Sequence, residues 1–460
     1  MTMIDDTLAA IDAEAGPALD RLIALLKIPS ISAAPAHFAD CDRAADWLVG
    51  ELNAIGFETT KHPTSGRPVV VGHIKAAHRD SPHVLFYGHY DVQPPDPLDL
   101  WRSPPFEPKI EAGALGERIV ARGASDDKGQ LMTFLEACRA FQKFGGPPCS
   151  VTVLLEGEEE VGSPSLSAFL ADNAKTLKAD VALVCDTGMW DPATPAITTA
   201  LRGVVTEEVI LTGPNRDLHS GIYGGAAVNP IHVLARILGD LHDDQGAVAI
   251  PGFYDGVEEL PEEIKEQWEG LGFDVGAFLG DVGLSTPAGE RDRTPLEQLW
   301  SRPTCEVNGI SGGYAGEGTK TVIPAKASAK LSFRLVGKQA PDKLVQAFRD
   351  FVAARLPPDV KAEFIGHAGS PAITLPIANE ALRRARRALE AEWGKPAALM
   401  GCGASIPIVG AFKRELGMDS LLVGFALDDD AMHSPNEKYE LNSFRKGARS
   451  WARILAALAA

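Results

Sequence analysis

The chain has 460 residues, 45% of them apolar and 23% charged, with 45 glycines, 33 prolines and a formal charge of −18 at pH 7. That length exceeds what one hydrophobic core organises, so two domains are expected. The acidic balance argues against nucleic acid and against an anionic membrane as partner, since both repel a negative surface.

No stretch approaches the roughly 18 apolar residues of a membrane helix. The segment MTMIDDTLAAIDAEAG is acidic and lacks the basic start of a signal peptide. Six scattered cysteines (Cys41, Cys138, Cys149, Cys185, Cys305 and Cys402) form no C-x-x-C pair. A reduced, cytoplasmic protein is therefore expected, in which any metal is held mainly by His, Asp and Glu.

Taken in chain order, Leu8, Ile11, Leu19, Leu22, Ile23 and Leu26 have helical spacing, and Pro17 is expected to split that stretch. The apolar run Val84–Tyr87 precedes a helical segment over 128–144, and the runs 151–155 and 181–184 follow. That rhythm predicts βαβ units and a mostly parallel sheet covered by helices. From Gly203 the texture changes. Residues 204–210 and 325–336 alternate like half-exposed antiparallel strands, with helices at 228–240 and 343–355. The stretch 241–305, rich in Pro, Gly and acidic residues, reads as an elaborated insertion. After 378 come a helix near 379–393, an apolar strand at 421–425 and a final helix from 441. The expectation is a catalytic α/β domain formed by 1–202 and 379–460, interrupted by an inserted α+β domain at 203–378.

Five short segments carry chemistry. Tyr87-Gly88-His89-Tyr90-Asp91 puts an imidazole and a carboxylate at the end of a buried strand, where open α/β sheets place ligand sites. Spaced two apart on extended chain, the two side chains share a face, so one could bind metal while the other orients it; a satisfied histidine beside a turn aspartate has the same pattern. Asp126-Asp127 before a helix, taken alone, reads as an N-cap with a favourable dipole charge. Glu156-Gly157-Glu158-Glu159-Glu160 crowds four carboxylates after a strand, which calls for solvent or a cation. Cys185-Asp186 and Met432-His433-Ser434 complete the set. Imidazole with carboxylate suits zinc, and also manganese or cobalt.

At these residues the sequence resembles the M20 family of metallopeptidases, most closely its dipeptidase branch. The motifs run in order along nearly the whole chain: GHYDVQP, GASDDKG, EGEEEVGS, CDTGMW, DLHSGIYGG, KTVIP, SFRLV, SIP and MHSPNE. The resemblance implies two divalent metal ions per subunit, with His89 and Asp186 on one, Glu160 and His433 on the other, and Asp126 bridging them. It implies that Asp91 stands behind His89, that the peptide between Asp126 and Asp127 is cis, and that Glu159 is the base activating a water shared by the metals. The inserted domain would act as lid and dimerisation domain. His219 would stabilise the oxyanion in the partner subunit's site, so that a homodimer shares its active sites. Arg334 would hold the substrate's C-terminal carboxylate, with Thr321, Asn229 and Ser405 lining the same pocket. One departure stands out: Ala404 replaces the second glycine of the usual Gly-Gly-Ser-Ile-Pro.

The expected activity is hydrolysis of dipeptides or short peptides. A deacylase of N-acyl or N-succinyl amino acids is the alternative, which Asp186 and the long insertion disfavour. A catalytically dead scaffold would lack a ligand or the base, and an all-oxygen calcium site has little use for His89 and His433.

Overall fold

The computed structural model describes residues 2–460 apart from 77–79, 367–368 and 404–405. The chain divides into two compact units. The first comprises Met1–Thr199, Leu375–Met400 and Pro407–Ala460, and the second Ala200–Thr374 and Gly401–Ile406. The fold class is α/β, with a mixed sheet covered by helices and a separate antiparallel sheet.

In the first unit the strands run in the order Glu58–His62, Val69–Ile74, Ser150–Glu156, His83–His89, Val181–Val184, Ser420–Leu422 and Ala196–Leu201. Only the four central strands, from Ser150–Glu156 to Ser420–Leu422, are mutually parallel. Both flanks are antiparallel, so the expected mostly parallel sheet is a mixed one with a parallel centre. The central strands are buried on both faces and read as continuous apolar runs. The Glu58–His62 edge is exposed or half-buried throughout, which an antiparallel edge tolerates.

Helix Lys128–Gln142 is buried over nearly its whole circumference. Its Phe134 stacks on Phe86 of the sheet at 3.8 Å between ring centroids, and Trp451 of helix Leu441–Ala459 stands edge-on to both. Such aromatic packing adds to simple area burial and anchors the helix that starts beside the Asp126 loop. The N-terminal stretch forms helices Met3–Ala13 and Ala15–Leu26. The break falls at Glu14, not at Pro17, because Pro17 sits in the first turn of the second helix, where its missing N–H is not needed.

The second unit has a four-stranded antiparallel sheet in the order Thr304–Gly312, Lys326–Leu335, Gly203–Thr212 and Lys361–Gly366. Burial alternates strictly along its two central strands. The inner side chains, among them Val209, Leu211, Leu331 and Phe333, meet Leu234 of helix Pro230–Gly239 and Phe348 of helix Pro341–Ala353. The 241–305 stretch contains short helices at Glu262–Gly270, Val275–Asp281 and Pro295–Trp300. Among the described residues, no helix is long and apolar enough to cross a membrane.

Candidate metal centre

Two of the parallel strands end on ionisable groups, and turns next to the others deliver more. His89 is the last residue of its strand and is fully buried. Its Nδ1 lies 3.1 Å from the Asp91 carbonyl oxygen and 3.4 Å from the Asp91 carboxylate, which leaves Nε2 as the outward ligand atom, 3.0 Å from Asp126 Oδ1. Asp126 Oδ2 lies 2.9 Å from Nε2 of His433, and that nitrogen is 3.2 Å from Glu160 Oε2. Ligand atoms of His89, Asp126 and Asp186 all lie within 4.8 Å of one another, as do those of Asp126, Glu160 and His433. Asp126 belongs to both groups.

Local backbone features aim these side chains. The Asp126–Asp127 peptide is cis. Gly129, the second residue of the following helix, lies so close to the loop that a Cβ there would stand 2.0 Å from the Ala124 carbonyl oxygen. His433 has φ +60, in the left-handed region, within a short loop that also includes Ala431 and Asn436 at positive φ. Asp91 has a double role: its two carboxylate oxygens accept the backbone N–H groups of Glu159 and Glu160, at 3.2 and 3.1 Å. The aspartate that steadies His89 thus also fixes the turn bearing both glutamates.

The electrostatics describe crowded carboxylates. Burial pushes Asp186 up to about 7, against His89 and with help from Asp126, Glu159 and Glu160. Burial also raises Glu159. Burial works on Asp126 in the same direction, yet its contacts with His433 and His89 outweigh it and hold the carboxyl well below the usual range. His433 is raised to about 10 by Asp126 and Glu160. The same negative charge that draws a proton onto His433 would draw a divalent cation, and the mix of imidazole and carboxylate donors fits one.

Two residues of this centre escaped sequence reasoning. Gln93 Nε2 donates to Glu160 Oε2 at 2.8 Å. Glu437, fully buried, pairs with Arg122 at 2.9 Å and accepts the backbone N–H groups of Gly123, Ser125 and Asp126 at 2.8, 2.8 and 3.0 Å. One carboxylate thereby ties the loop carrying Asp126 to the segment carrying His433. Both residues lie inside quoted motifs, and that was the one available signal.

The remaining expected site residues belong to the second unit. Strand Leu218–His219 pairs with Val322–Ile323, and Ser220 N–H donates to the Thr321 carbonyl, so His219 and Thr321 are neighbours. His219 is exposed, and its Nδ1 accepts from Gly221 N–H at 3.0 Å, leaving Nε2 as the N–H donor of the neutral ring. Asn229 Oδ1 caps helix Pro230–Gly239 by accepting from Ile231 N–H at 2.9 Å, and its amide nitrogen remains as a donor for another partner. Arg334 lies on strand Lys326–Leu335, half-buried. Ser405 and Ala404 fall outside the described residues.

Comparison with known proteins bears on this centre. Residues 85–457 match the model of peptidase family M20/M25/M40. The chain is 31% identical to the Cys-Gly metallodipeptidase DUG1 of Candida albicans, over 94% of this chain and 92% of that one. It is 28% identical to the human Beta-Ala-His dipeptidase, over 82% and 75% of the two chains. Among solved structures, an M20 family metallo-carboxypeptidase of Sulfolobus solfataricus superposes with a TM-score of 0.81 at 31% identity, covering 96% of this chain and 99% of the other.

Proposed function

The chain belongs to peptidase family M20/M25/M40, and from that premise we propose that it is a metallodipeptidase cleaving the peptide bond of dipeptides and short peptides. The observation that carries this reading is the pair of donor groups sharing Asp126, with Glu159 beside them. His89 and Asp186 would hold one divalent ion, Glu160 and His433 the other, and Asp126 would serve both. The donor set suits zinc, with manganese or cobalt as alternatives. When bound, such ions polarise the scissile carbonyl and make water a nucleophile near neutral pH.

The chain's own residues do the rest. Glu159 takes the proton of the attacking water and returns it to the leaving amine; its burial strengthens its hold on that proton. Asp91 keeps Glu159 and His89 in register through the contacts described above. His219 donates from Nε2 to the developing oxyanion, acting from the partner subunit of a homodimer. The outer strand of the second unit, Thr304–Gly312, supports a second copy: it is an edge strand with Val307 and Ile310 exposed, followed by exposed Tyr314. Arg334 grips the substrate's C-terminal carboxylate bidentately, with Thr321, Ser405 and the amide nitrogen of Asn229 along the same pocket. That relatives are named as Cys-Gly and β-Ala-His dipeptidases supports dipeptides as the substrate class.

The test is a series of dipeptides, tripeptides, end-blocked peptides and N-acetyl or N-succinyl amino acids, with metal content measured on the same sample. Dipeptides should be cleaved fastest, chelation should abolish cleavage, and zinc, manganese or cobalt should restore it. Cleavage of the acylated set alone would replace the dipeptidase reading with a deacylase. Activity that survives complete metal removal would end the metal mechanism.

A further inference from the structure

Among the described residues, the second unit holds two half-buried guanidinium groups without an ion-pair partner, those of Arg202 and Arg334. Arg334 stands opposite Thr304 on one neighbouring strand and opposite Val204 on the other. Opposed residues share a face of a sheet, and so do residues two apart along a strand. Arg334 and Val204 therefore project to one side, away from the buried Phe333 and Leu335, and Arg202 lies two residues before Val204, just ahead of the strand. Arg202 Nε donates to the Gly403 carbonyl oxygen at 3.1 Å, and a Cβ on Gly403 would stand 2.8 Å from Arg202 Nη2. The guanidinium thus lies across a glycine that leaves room for it. Both arginines are half-buried. Burial and the charge of Arg334 lower Arg202 to about 10.

This is costly unless something repays it. The chain carries 62 acidic against 44 basic side chains, so anionic partners are plentiful. Other half-buried or buried arginines have found them: Arg21 with Glu136 at 2.6 Å, Arg349 with Glu207 at 3.0 Å and Arg449 with Glu392 at 2.6 Å. Among the described residues, neither Arg202 nor Arg334 has an ion-pair partner. Glu306, exposed one strand away, pairs with neither. Two like charges close together and half-buried fit a place where an anion arrives from outside. Paired planar forks select a carboxylate, whose two oxygens each accept charge-assisted hydrogen bonds.

We propose that Arg202 and Arg334 together form a carboxylate clasp, and that Arg202 is a specificity-determining residue that makes the enzyme demand an unblocked C-terminal carboxylate. The proposal rests on the hydrolase reading above, and it adds a second arm to the one assigned to Arg334. Either substrate class that reading weighs, dipeptide or N-acyl amino acid, ends in such a carboxylate.

The experiment compares wild type, Arg202→Met and Arg202→Lys on one substrate and on its C-terminal amide. Methionine keeps the apolar stem and removes the charge. In wild type the free acid should be strongly preferred. In Arg202→Met, kcat/KM for the acid should fall roughly 10- to 100-fold, mainly through KM, as expected for loss of a charged hydrogen bond. Hydrolysis of the amide should fall far less, and an unchanged melting temperature shows that the variant is folded. Lysine should recover part of the preference. Equal losses on acid and amide, or no loss on either, would overturn the clasp. A wild-type enzyme that cleaves no dipeptide bears on the parent reading instead, and the same acid-to-amide comparison is then made with an N-acyl amino acid.

Discussion

Glu159 has the heaviest chemical duty in the proposed reaction and the fewest ties elsewhere. Its backbone is fixed by Asp91, while its carboxylate makes no hydrogen bond among the described residues. The neighbouring Glu160 is the reverse case, with its carboxylate held by Gln93 and facing His433. Glu159→Gln should therefore lower kcat by about 10²- to 10⁴-fold, the usual worth of a positioned base, and leave metal binding intact. Calorimetric titration of metal-free protein reads the second half of that statement; turnover within a few-fold of wild type would move the base to another residue. The same contrast explains what was legible beforehand. His89, Glu159, Glu160 and Asp186 follow apolar runs closely enough that burial of the run dictates where they emerge. Glu437 could not be read in this way. Its work is to accept three N–H groups from a loop that lies as far as 314 residues away in sequence, and only the folded chain brings them together.

At the scale of elements, the parallel centre of the first sheet was readable from its continuous apolar strands, and the antiparallel flanks were not. Glu58–His62 and Lys109–Gly113 carry little apolar signal because each lies at an edge of its sheet. Helix Phe38–Ile55 hid for another reason: its buried face leads with Cys41, Ala44 and Ala45, small residues that give weak periodicity. The strands that lead to the metal centre also contain a pH-sensitive contact, nearer their starts. Thr152 Oγ1 lies 2.9 Å from His73 Nδ1 and 2.8 Å from His83 Nε2. Burial lowers both histidines below the usual imidazole value, and for His73 the charge of His83 adds to the effect. The unfolded chain therefore binds more protons than the folded one as pH falls through the imidazole range, and folding stability must fall with it. His73→Gln should remove its share of that dependence. Melting temperatures measured from pH 7.5 to 5.5 should fall less steeply for the variant than for wild type, and parallel curves would show that His73 does not contribute.

At the scale of the whole molecule, the proposed chemistry is divided between the two units. The metal ligands and the base belong to the first, whereas His219, Thr321 and Arg334 belong to the second. An exposed histidine whose Nδ1 is already engaged by its own loop has one donor left, directed outward. That suits a group completing a site on another chain. If His219 serves the partner subunit, inactivating His219 and Glu159 on separate chains leaves one competent site in each mixed dimer. That site takes Glu159 from the His219→Ala chain and His219 from the Glu159→Gln chain. Random exchange of equal amounts should then restore roughly a quarter of wild-type activity from two nearly inactive proteins. Subunit exchange is followed independently by mass spectrometry of differently tagged chains, so that complete exchange with no recovery would place His219 and Glu159 in the same chain's site. Recovery that appears at the rate of exchange would instead tie turnover to the assembled dimer, and dilution below the dimer's dissociation constant should then lower kcat in step with the loss of dimer.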